Sequence, residues 1–387
     1  MCEKSTIFAH KLDEIMAIEF KSEDLHRAHE WIAQAKHIVI TTHMAPDGDA
    51  MGSALGIFNW LKNTEHRTQN TDQISLCSVS EAVGTLSAER SIHVIVPNAF
   101  PKFYQWMPGA EQIKIYETDA KACDALIEEA DLFICTDYND PKRIGALGEK
   151  MLHSSAPKIL IDHHLNPTDF ADIVFSYPAA CSASEIVYNF IQSNPNNRSN
   201  LSLETATCIY TGLMTDTGNF SFNSTSCDLY EIIAELIRAG VKKDEIYNAV
   251  YNQYSTDRVR LTGYALYRKM RIYPEYHLSL ITLSADELDQ YHYQPGDTEG
   301  LVNMPLQISD VYYSVYMREE RPKPGTPKPR IRISFRSQGD RPVNIWASEV
   351  FNGGGHMNAS GGELFGSLNQ AVQLFEKSFS QYVKKND

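Results

Sequence analysis

The sequence predicts two α/β domains facing each other across a cleft: a mostly parallel sheet flanked by helices, then a smaller mixed-sheet domain. Three observations predict this. Over roughly the first 240 residues, apolar β-branched runs alternate with stretches of helical periodicity, the pattern of a parallel sheet with crossover helices. From about Ile272 the pattern changes to period-two alternation. At 387 residues the chain also exceeds the usual size of one compact core. The expected division is a first domain over 1–240, a helical connector over 241–270 and a second domain over 271–387.

In chain order, Leu12, Ile15, Met16, Ile18, Leu25 and Ile32 recur at helical intervals and predict one or two leading helices between Lys11 and Ala35. His37–Thr42 is an apolar strand, ended by Pro46 and Gly48, and helical spacing resumes from Ser53 through Ala54, Leu55, Phe58 and Leu61. Short extended segments are expected at Ser75–Ser80 and Ser91–Val96. An aromatic patch closed by a turn, Phe100–Gly109, is expected to pack on the sheet. Buried strands end at Asp137 and at Asp162-His163-His164. A helix follows between Ser182 and Ile191. Thr205–Thr215 reads as a helix or buried segment leading to Asp216 in a glycine-containing loop, and another helix runs from Leu229 to near Gly240. In the second domain, Tyr276–Leu283, Val311–Met317 and Ile331–Phe335 read as strands. Arg321–Arg330, with four prolines and four basic residues, reads as a stiff, solvated hairpin loop, and a closing helix spans Leu368–Val383.

Composition narrows the function. The 49 acidic residues against 35 basic give a net charge of −14, which argues against broad binding to long duplex nucleic acid. A small anionic substrate remains compatible, because bound divalent ions would reverse the local field. Seven scattered cysteines form no Cys-x-x-Cys pair, which fits a reducing cytoplasm better than a disulfide framework. No apolar run approaches the ~20 residues of a membrane span, so no membrane partner is expected.

The loop after the first strand carries His43, Asp47 and Asp49 within seven residues. Buried carboxylates this close repel one another, and a bound cation relieves the repulsion. A solvated Pro-Asp-Gly-Asp turn is the plain alternative for this loop alone. Asp137, His163 and Asp216 at further element ends complete a mixed imidazole and carboxylate set. Six candidates are too many for one hydrolytic ion with open positions, and suit two divalent ions, manganese or similar, sharing one carboxylate. No Walker A, Gly-x-Gly-x-x-Gly or Gly-x-Ser-x-Gly sequence is present.

These elements resemble the motifs of the DHH phosphoesterase superfamily, with Asp162-His163-His164 as its namesake. Gly353-Gly354-Gly355-His356, followed by Ala359 and Gly361, resembles the signature of the DHHA1 substrate-binding domain. Length and domain content resemble most the bifunctional nanoRNase and 3′-phosphoadenosine 5′-phosphate phosphatase subfamily. The resemblance implies that His43 and Asp47 hold one manganese, that Asp49, His163 and Asp216 hold the other, and that Asp137 bridges. It implies that Asp162 orients a ligand histidine and that His164 contacts the scissile phosphate or protonates the leaving oxygen. Gly354, Gly355 and His356 would approach the nucleotide, and Arg332, Arg336 and Ser337 would grip a terminal phosphate. The implied partners are short single-stranded oligonucleotides and 3′-phosphoadenosine 5′-phosphate, with the oligomeric state, a homodimer included, left open. Leu165 stands where long-DNA exonucleases of the superfamily often carry a third histidine, and Met357 where relatives are often basic. Rival readings are a phosphodiesterase for linear or cyclic dinucleotides, a family-II-like pyrophosphatase and a non-catalytic nucleotide-binding regulator.

Overall fold

The computed structural model describes residues 18–75, 90–194, 201–322 and 328–386. The chain divides into two compact units between Asn252 and Gln253. That boundary lies inside the 241–270 stretch. Of its helices, Lys243–Tyr251 falls in the first unit and Thr256–Tyr264 in the second, where a π turn over Ala265–Lys269 continues it.

The first unit is built on six parallel strands: β1 (His37–Thr41), β2 (Ser91–Val96), β3 (Lys114–Ile115), β4 (Leu132–Thr136), β5 (Lys158–Asp162) and β6 (Ile173–Ser176). Their spatial order is β3-β2-β1-β4-β5-β6. The order reverses between β1 and β4, whose register pairs Ile38 with Leu132 and Thr41 with Cys135. Both faces of the sheet are covered, as an all-parallel sheet requires. Alternate residues of each strand therefore enter different cores. Ile38, Ile40, Ile134 and Ile161 pack with the Gly48–Ser75 and Ala183–Gln192 helices. Val39, Phe133, Cys135 and Leu160 pack on the other side with the Ala120–Glu129 and Ala146–His153 helices.

Several expectations are corrected. The helix after β1 begins at Gly48 rather than near Ser53 and runs to Ser75. Gly48 and Gly52, which look like loop residues, are helical because their bare faces meet the Leu203–Asp216 helix. A Cβ at Gly52 would lie 2.7 Å from both Cys208 O and Gly212 N. Ser75 ends that helix instead of opening a strand, and the remainder of Ser75–Ser80 lies outside the described residues, as does most of the leading helical stretch before Ser22–Gln34. Asp216 is the last residue of its helix, not a loop residue. In the aromatic patch Tyr104 and Met107 are buried, whereas Trp106 stays partly exposed.

The second unit is a mixed sheet of six strands: β7 (Arg271–Tyr273), β8 (Leu278–Leu283), β9 (Tyr313–Glu320), β10 (Arg330–Ser337), β11 (Gly354–His356) and β12 (Ala359–Phe365), in the order β11-β12-β10-β9-β8-β7. Only the β8–β9 pair is parallel. Ile331, Ile333 and Phe335 of β10 point into a core with Trp346, Phe375 and Phe379 of the two last helices. Strand formation starts two residues later than expected in β8, because Pro274–Tyr276 forms a 3-10 turn. Residues 323–327 of the basic hairpin lie outside the described residues. Its described arginines are neutralised: Arg321 pairs with Asp286 and Asp289, and Arg330 with Glu363. Among the described residues no helix is long and apolar enough to cross a membrane.

Candidate metal centre

In an open α/β sheet, ligands bind beyond the carboxyl ends of the strands where the strand order reverses. Here that point lies between β1 and β4. The loop after β1 carries His43 and Asp47, the residue after β4 is Asp137, and β5 ends in Asp162-His163-His164. Three successive strands of the sheet therefore deliver their polar ends to one place.

Each group is held by its local structure. His43 Nδ1 faces Met44 O at 3.0 Å, which turns Nε2 toward the carboxylates. Asp47 is the N-cap of the Gly48–Ser75 helix: its Oδ1 accepts from Asp49 N at 3.1 Å and Ala50 N at 3.0 Å, leaving Oδ2 for His43. Asp137 sits at φ 62°, a left-handed conformation that an aspartate tolerates and that turns the chain at the strand end. Asp49 is almost wholly buried and accepts from Ala183 N at 2.6 Å and Ser184 N at 3.0 Å, at the start of the Ala183–Gln192 helix. The close crossing at Gly52 and Gly212 brings Asp49 and Asp216 together. A Cβ on Gly212 would stand 2.8 Å from Asp49 Oδ1.

Two donor sets result, each with its ligand atoms within 4.8 Å of one another: His43, Asp47 and Asp137, and Asp49, His163 and Asp216. His43 Nε2 is 3.3 Å from Asp137 Oδ2 and 3.7 Å from Asp47 Oδ2. His163 Nε2 is 3.4 Å from Asp137 Oδ1, 3.7 Å from Asp216 Oδ2 and 3.8 Å from Asp49 Oδ2. Asp137 thus faces both imidazoles, one with each oxygen. A third set, Asp137, Asp162 and His164, lies beside them. The expected partner of Asp162 changes: its Oδ1 lies 2.8 Å from Nδ1 of His164, not of His163, and its Oδ2 accepts from His164 N at 3.0 Å.

The donor set fits divalent cations. Two ligands each about 2.1 Å from one ion stand roughly 3.0–3.4 Å apart, close to these separations and too long for strong hydrogen bonds. Asp137 Oδ1 is buried and makes no hydrogen bond of good geometry among the described residues. Asp216 places a carboxylate at a helix C-terminus, where the helix dipole disfavours it unless a cation is near.

The electrostatics point the same way. Burial works against a charged His43, yet Asp47 and Asp137 raise it to about 10. Burial likewise opposes charge on His163, and Asp137, Asp216 and Asp49 raise it well above the ordinary imidazole value. Burial would raise Asp137, but His163 and His43 hold it well below the usual carboxylate range. Asp49 is pushed well above that range by burial and by the charges of Asp137 and Asp216. In the absence of a cation, protons must neutralise this cluster.

Arg332 and Arg336 share the outer face of β10, opposite Ile331, Ile333 and Phe335. Ser337 lies on the other face, where its hydroxyl donates to Arg341 O and accepts from Asn358 Nδ2. Gly354, Gly355 and His356 form the edge strand β11. Gly355, at φ 137°, approaches Ala359 O so closely that a Cβ would lie 2.6 Å away, whereas a Cβ on Gly354 would meet nothing within 4 Å.

Sequence reasoning missed the residues that hold the donors in place. Asn98 accepts from Ala45 N at 2.7 Å and so fixes the left-handed Ala45 between His43 and Asp47. Ala183 N and Ser184 N, at the start of their helix, donate to the Asp49 carboxylate and hold it. Asn98 directly follows a strand and its proline, a position from which its role could have been suspected.

A family model described as the DHH family, N-terminal domain, matches residues 37–213. Among curated proteins, the chain is 25% identical over 328 residues to the bifunctional oligoribonuclease and PAP phosphatase NrnA of Bacillus subtilis, covering 85% of this chain and 89% of that one. It is 26% identical over 341 residues to the protein of the same name from Thermus thermophilus, covering 87% of each. Among solved structures, an exopolyphosphatase-related protein from Bacteroides fragilis is 40% identical, with a TM-score of 0.82 over 95% of this chain and 99% of that one. The strand-end aspartates and histidines, the fold and these likenesses agree, and the chain belongs to the DHH family.

Proposed function

We propose that this protein is a metal-dependent phosphoesterase that hydrolyses short single-stranded oligoribonucleotides to mononucleotides from one end and removes a phosphate from 3′-phosphoadenosine 5′-phosphate. The observation that carries this reading is the pair of mixed donor sets facing Asp137 at the reversal point of the sheet. The names of the NrnA relatives, matched over most of their length, support the substrate class. The net charge of −14 suits a short substrate better than a polymer.

In this reading His43 and Asp47 would hold one divalent ion, manganese by the mixed imidazole and carboxylate chemistry, and Asp49, His163 and Asp216 would hold a second, with Asp137 facing both sets. When bound, such a pair supplies Lewis acidity to the phosphoryl group and makes water a better nucleophile at neutral pH. The chain's own residues do the rest. Asp162, fully buried, holds His164 by both its Nδ1 and its backbone N. The imidazole is thereby oriented so that Nε2 can hand a proton to the leaving oxygen. Arg332 and Arg336 on the outer face of β10 bind phosphate, as planar guanidinium groups do. Gly354 lets backbone amides come close to the nucleotide, and His356 lies over it. Ser337, whose hydroxyl donates to Arg341 O and accepts from Asn358 Nδ2, would stand beside Arg336 as a further phosphate contact.

Labelled RNAs of two, three and twenty nucleotides, incubated with the protein and manganese, test this directly. Preferred turnover of the two shortest is expected. Preference for the longest would contradict the short-substrate assignment, and retained turnover in Asp137→Ala would contradict the catalytic one.

A further inference from the structure

Arg143, a half-buried arginine, brings one buried donor atom that makes no hydrogen bond among the described residues to the loop next to the candidate centre. It lies in the 3-10 turn Pro141–Ile144 that follows β4 and Asp137. Its backbone is fixed on two sides. Its carbonyl accepts from Met44 N at 2.8 Å, next to the donor His43, and its amide donates to Asp140 O at 2.9 Å. The Nη1 atom of its guanidinium is buried and makes no hydrogen bond among the described residues. The side chain is near enough to His164 for its charge to act on that imidazole.

A guanidinium nitrogen that is buried needs an acceptor, because a desolvated donor without a partner is costly, and carboxylates are the acceptors that the neighbouring loops supply. Arg143 pairs with none of them: among the described residues no carboxylate lies within ion-pair distance of it, although Asp137 and Asp162 both flank His164. The aspartates already face imidazoles. The arginine is therefore left with a desolvated donor beside the groups assigned to the reacting centre, and the anion that suits it is one that the chain does not itself supply. The planar fork of arginine matches phosphoryl oxygens.

We propose that Arg143 Nη1 binds a non-bridging oxygen of the phosphoryl group being cleaved, a substrate-binding role that nothing in the sequence reading assigned to it. This rests on the phosphoester reading above, but not on the substrate being short RNA. Arg143 forms and breaks no covalent bond; it fixes the phosphoryl group against the donor sets and next to His164.

Inorganic phosphate, as the probe, is titrated by calorimetry into the manganese-loaded full chain, into Arg143→Gln and into Arg143→Lys. Manganese affinity and thermal midpoint are measured on all three. Kinetics on bis(p-nitrophenyl) phosphate, a diester without a nucleotide, give kcat and KM. The expected result is at least a tenfold loss of phosphate affinity in Arg143→Gln, partial retention in Arg143→Lys, and manganese affinity and melting unchanged in both. Phosphate affinity unchanged in Arg143→Gln would overturn the proposal. So would a parallel loss of manganese, because the side chain would then only shape the Met44 loop. If the wild type ignores RNA yet binds phosphate through Arg143, the short-RNA reading fails and this one stands.

Discussion

Replacing Gly52 by alanine tests whether the helix crossing sets the metal site. In an exposed helix interior, glycine to alanine gains about 1 kcal/mol. At Gly52 the added Cβ would stand 2.7 Å from Cys208 O and from Gly212 N, and 2.8 Å from Gly212 Cα. Non-bonded atoms of this kind rest about 3.5 Å apart or more, so the two helices must separate by roughly 0.7–1 Å. Both sides of the contact are helix backbone, which yields less readily than a flexible side chain. Overpacking of this sort costs typically about 1–3 kcal/mol, and the top of that range outweighs the helical gain by about 2 kcal/mol. The same separation draws Asp49, three residues before Gly52, away from Asp216, four residues after Gly212. A misplacement of about 1 Å in a preorganised site costs on the order of a hundredfold in rate. The control is Gly263→Ala, where a Cβ would meet nothing within 4 Å in the Thr256–Tyr264 helix. Thermal melts, manganese titration and turnover are compared for each variant with wild type. Gly52→Ala should melt lower, bind manganese more weakly and turn over slowly, while Gly263→Ala should melt at or above wild type with full activity. A Gly52→Ala protein that is stabilised and fully active would refute the reasoning.

Other outcomes follow from the same structure. Adding manganese should raise the melting temperature of the wild type, since an ion at a thousand times its Kd stabilises by about 4 kcal/mol. The shift should shrink sharply in Asp137→Asn, which faces both imidazoles; an equal shift would place the ion elsewhere. Gly354→Ala should melt like wild type yet bind substrate less well, whereas Gly355→Ala, at φ 137° and hard against Ala359 O, should melt lower. His29, stacked on Phe190 at 4.7 Å, is lowered to about 4 by burial first and by His26 second. A depressed imidazole pKa means the folded state prefers the neutral ring. Its contribution is therefore intact above about 6.5 and is lost as pH falls toward 4. Because the ring is only partly buried, the loss is discounted to about 1–2 kcal/mol. Melts of His29→Phe should lack that part of the acid slope, and an unchanged slope would remove His29 from the account.

The strand ends were legible because apolar β-branched runs stop abruptly at Asp137 and at Asp162-His163-His164, and such runs mark buried strands whose next residues lie at the ligand-binding edge. The strand order was not legible, since periodicity says what is buried but not which strand lies beside which. The helix start was misplaced by about five residues because Gly48 and Gly52 lower intrinsic helix preference. Their reason is a partner helix some 160 residues away in sequence, which no local window contains. The pairing of Asp162 with His164 rather than His163 depends on side-chain direction at the end of β5 and was equally hidden. Arg143 carried a usable signal, a basic residue in the loop after a carboxylate-bearing strand, but the same spacing also describes an ordinary surface arginine.

The central claim is that the protein uses bound divalent ions to hydrolyse phosphoesters of short nucleotides. Release of phosphate and mononucleotide tests it most directly, with manganese and then with chelator. A dinucleotide RNA, 3′-phosphoadenosine 5′-phosphate, a cyclic dinucleotide, pyrophosphate and polyphosphate serve as substrates side by side. The account predicts turnover of the first two, abolished by chelation and restored by manganese. Turnover of only the cyclic, pyrophosphate or polyphosphate substrate would contradict the substrate assignment. Turnover that survives chelation would contradict the metal centre itself.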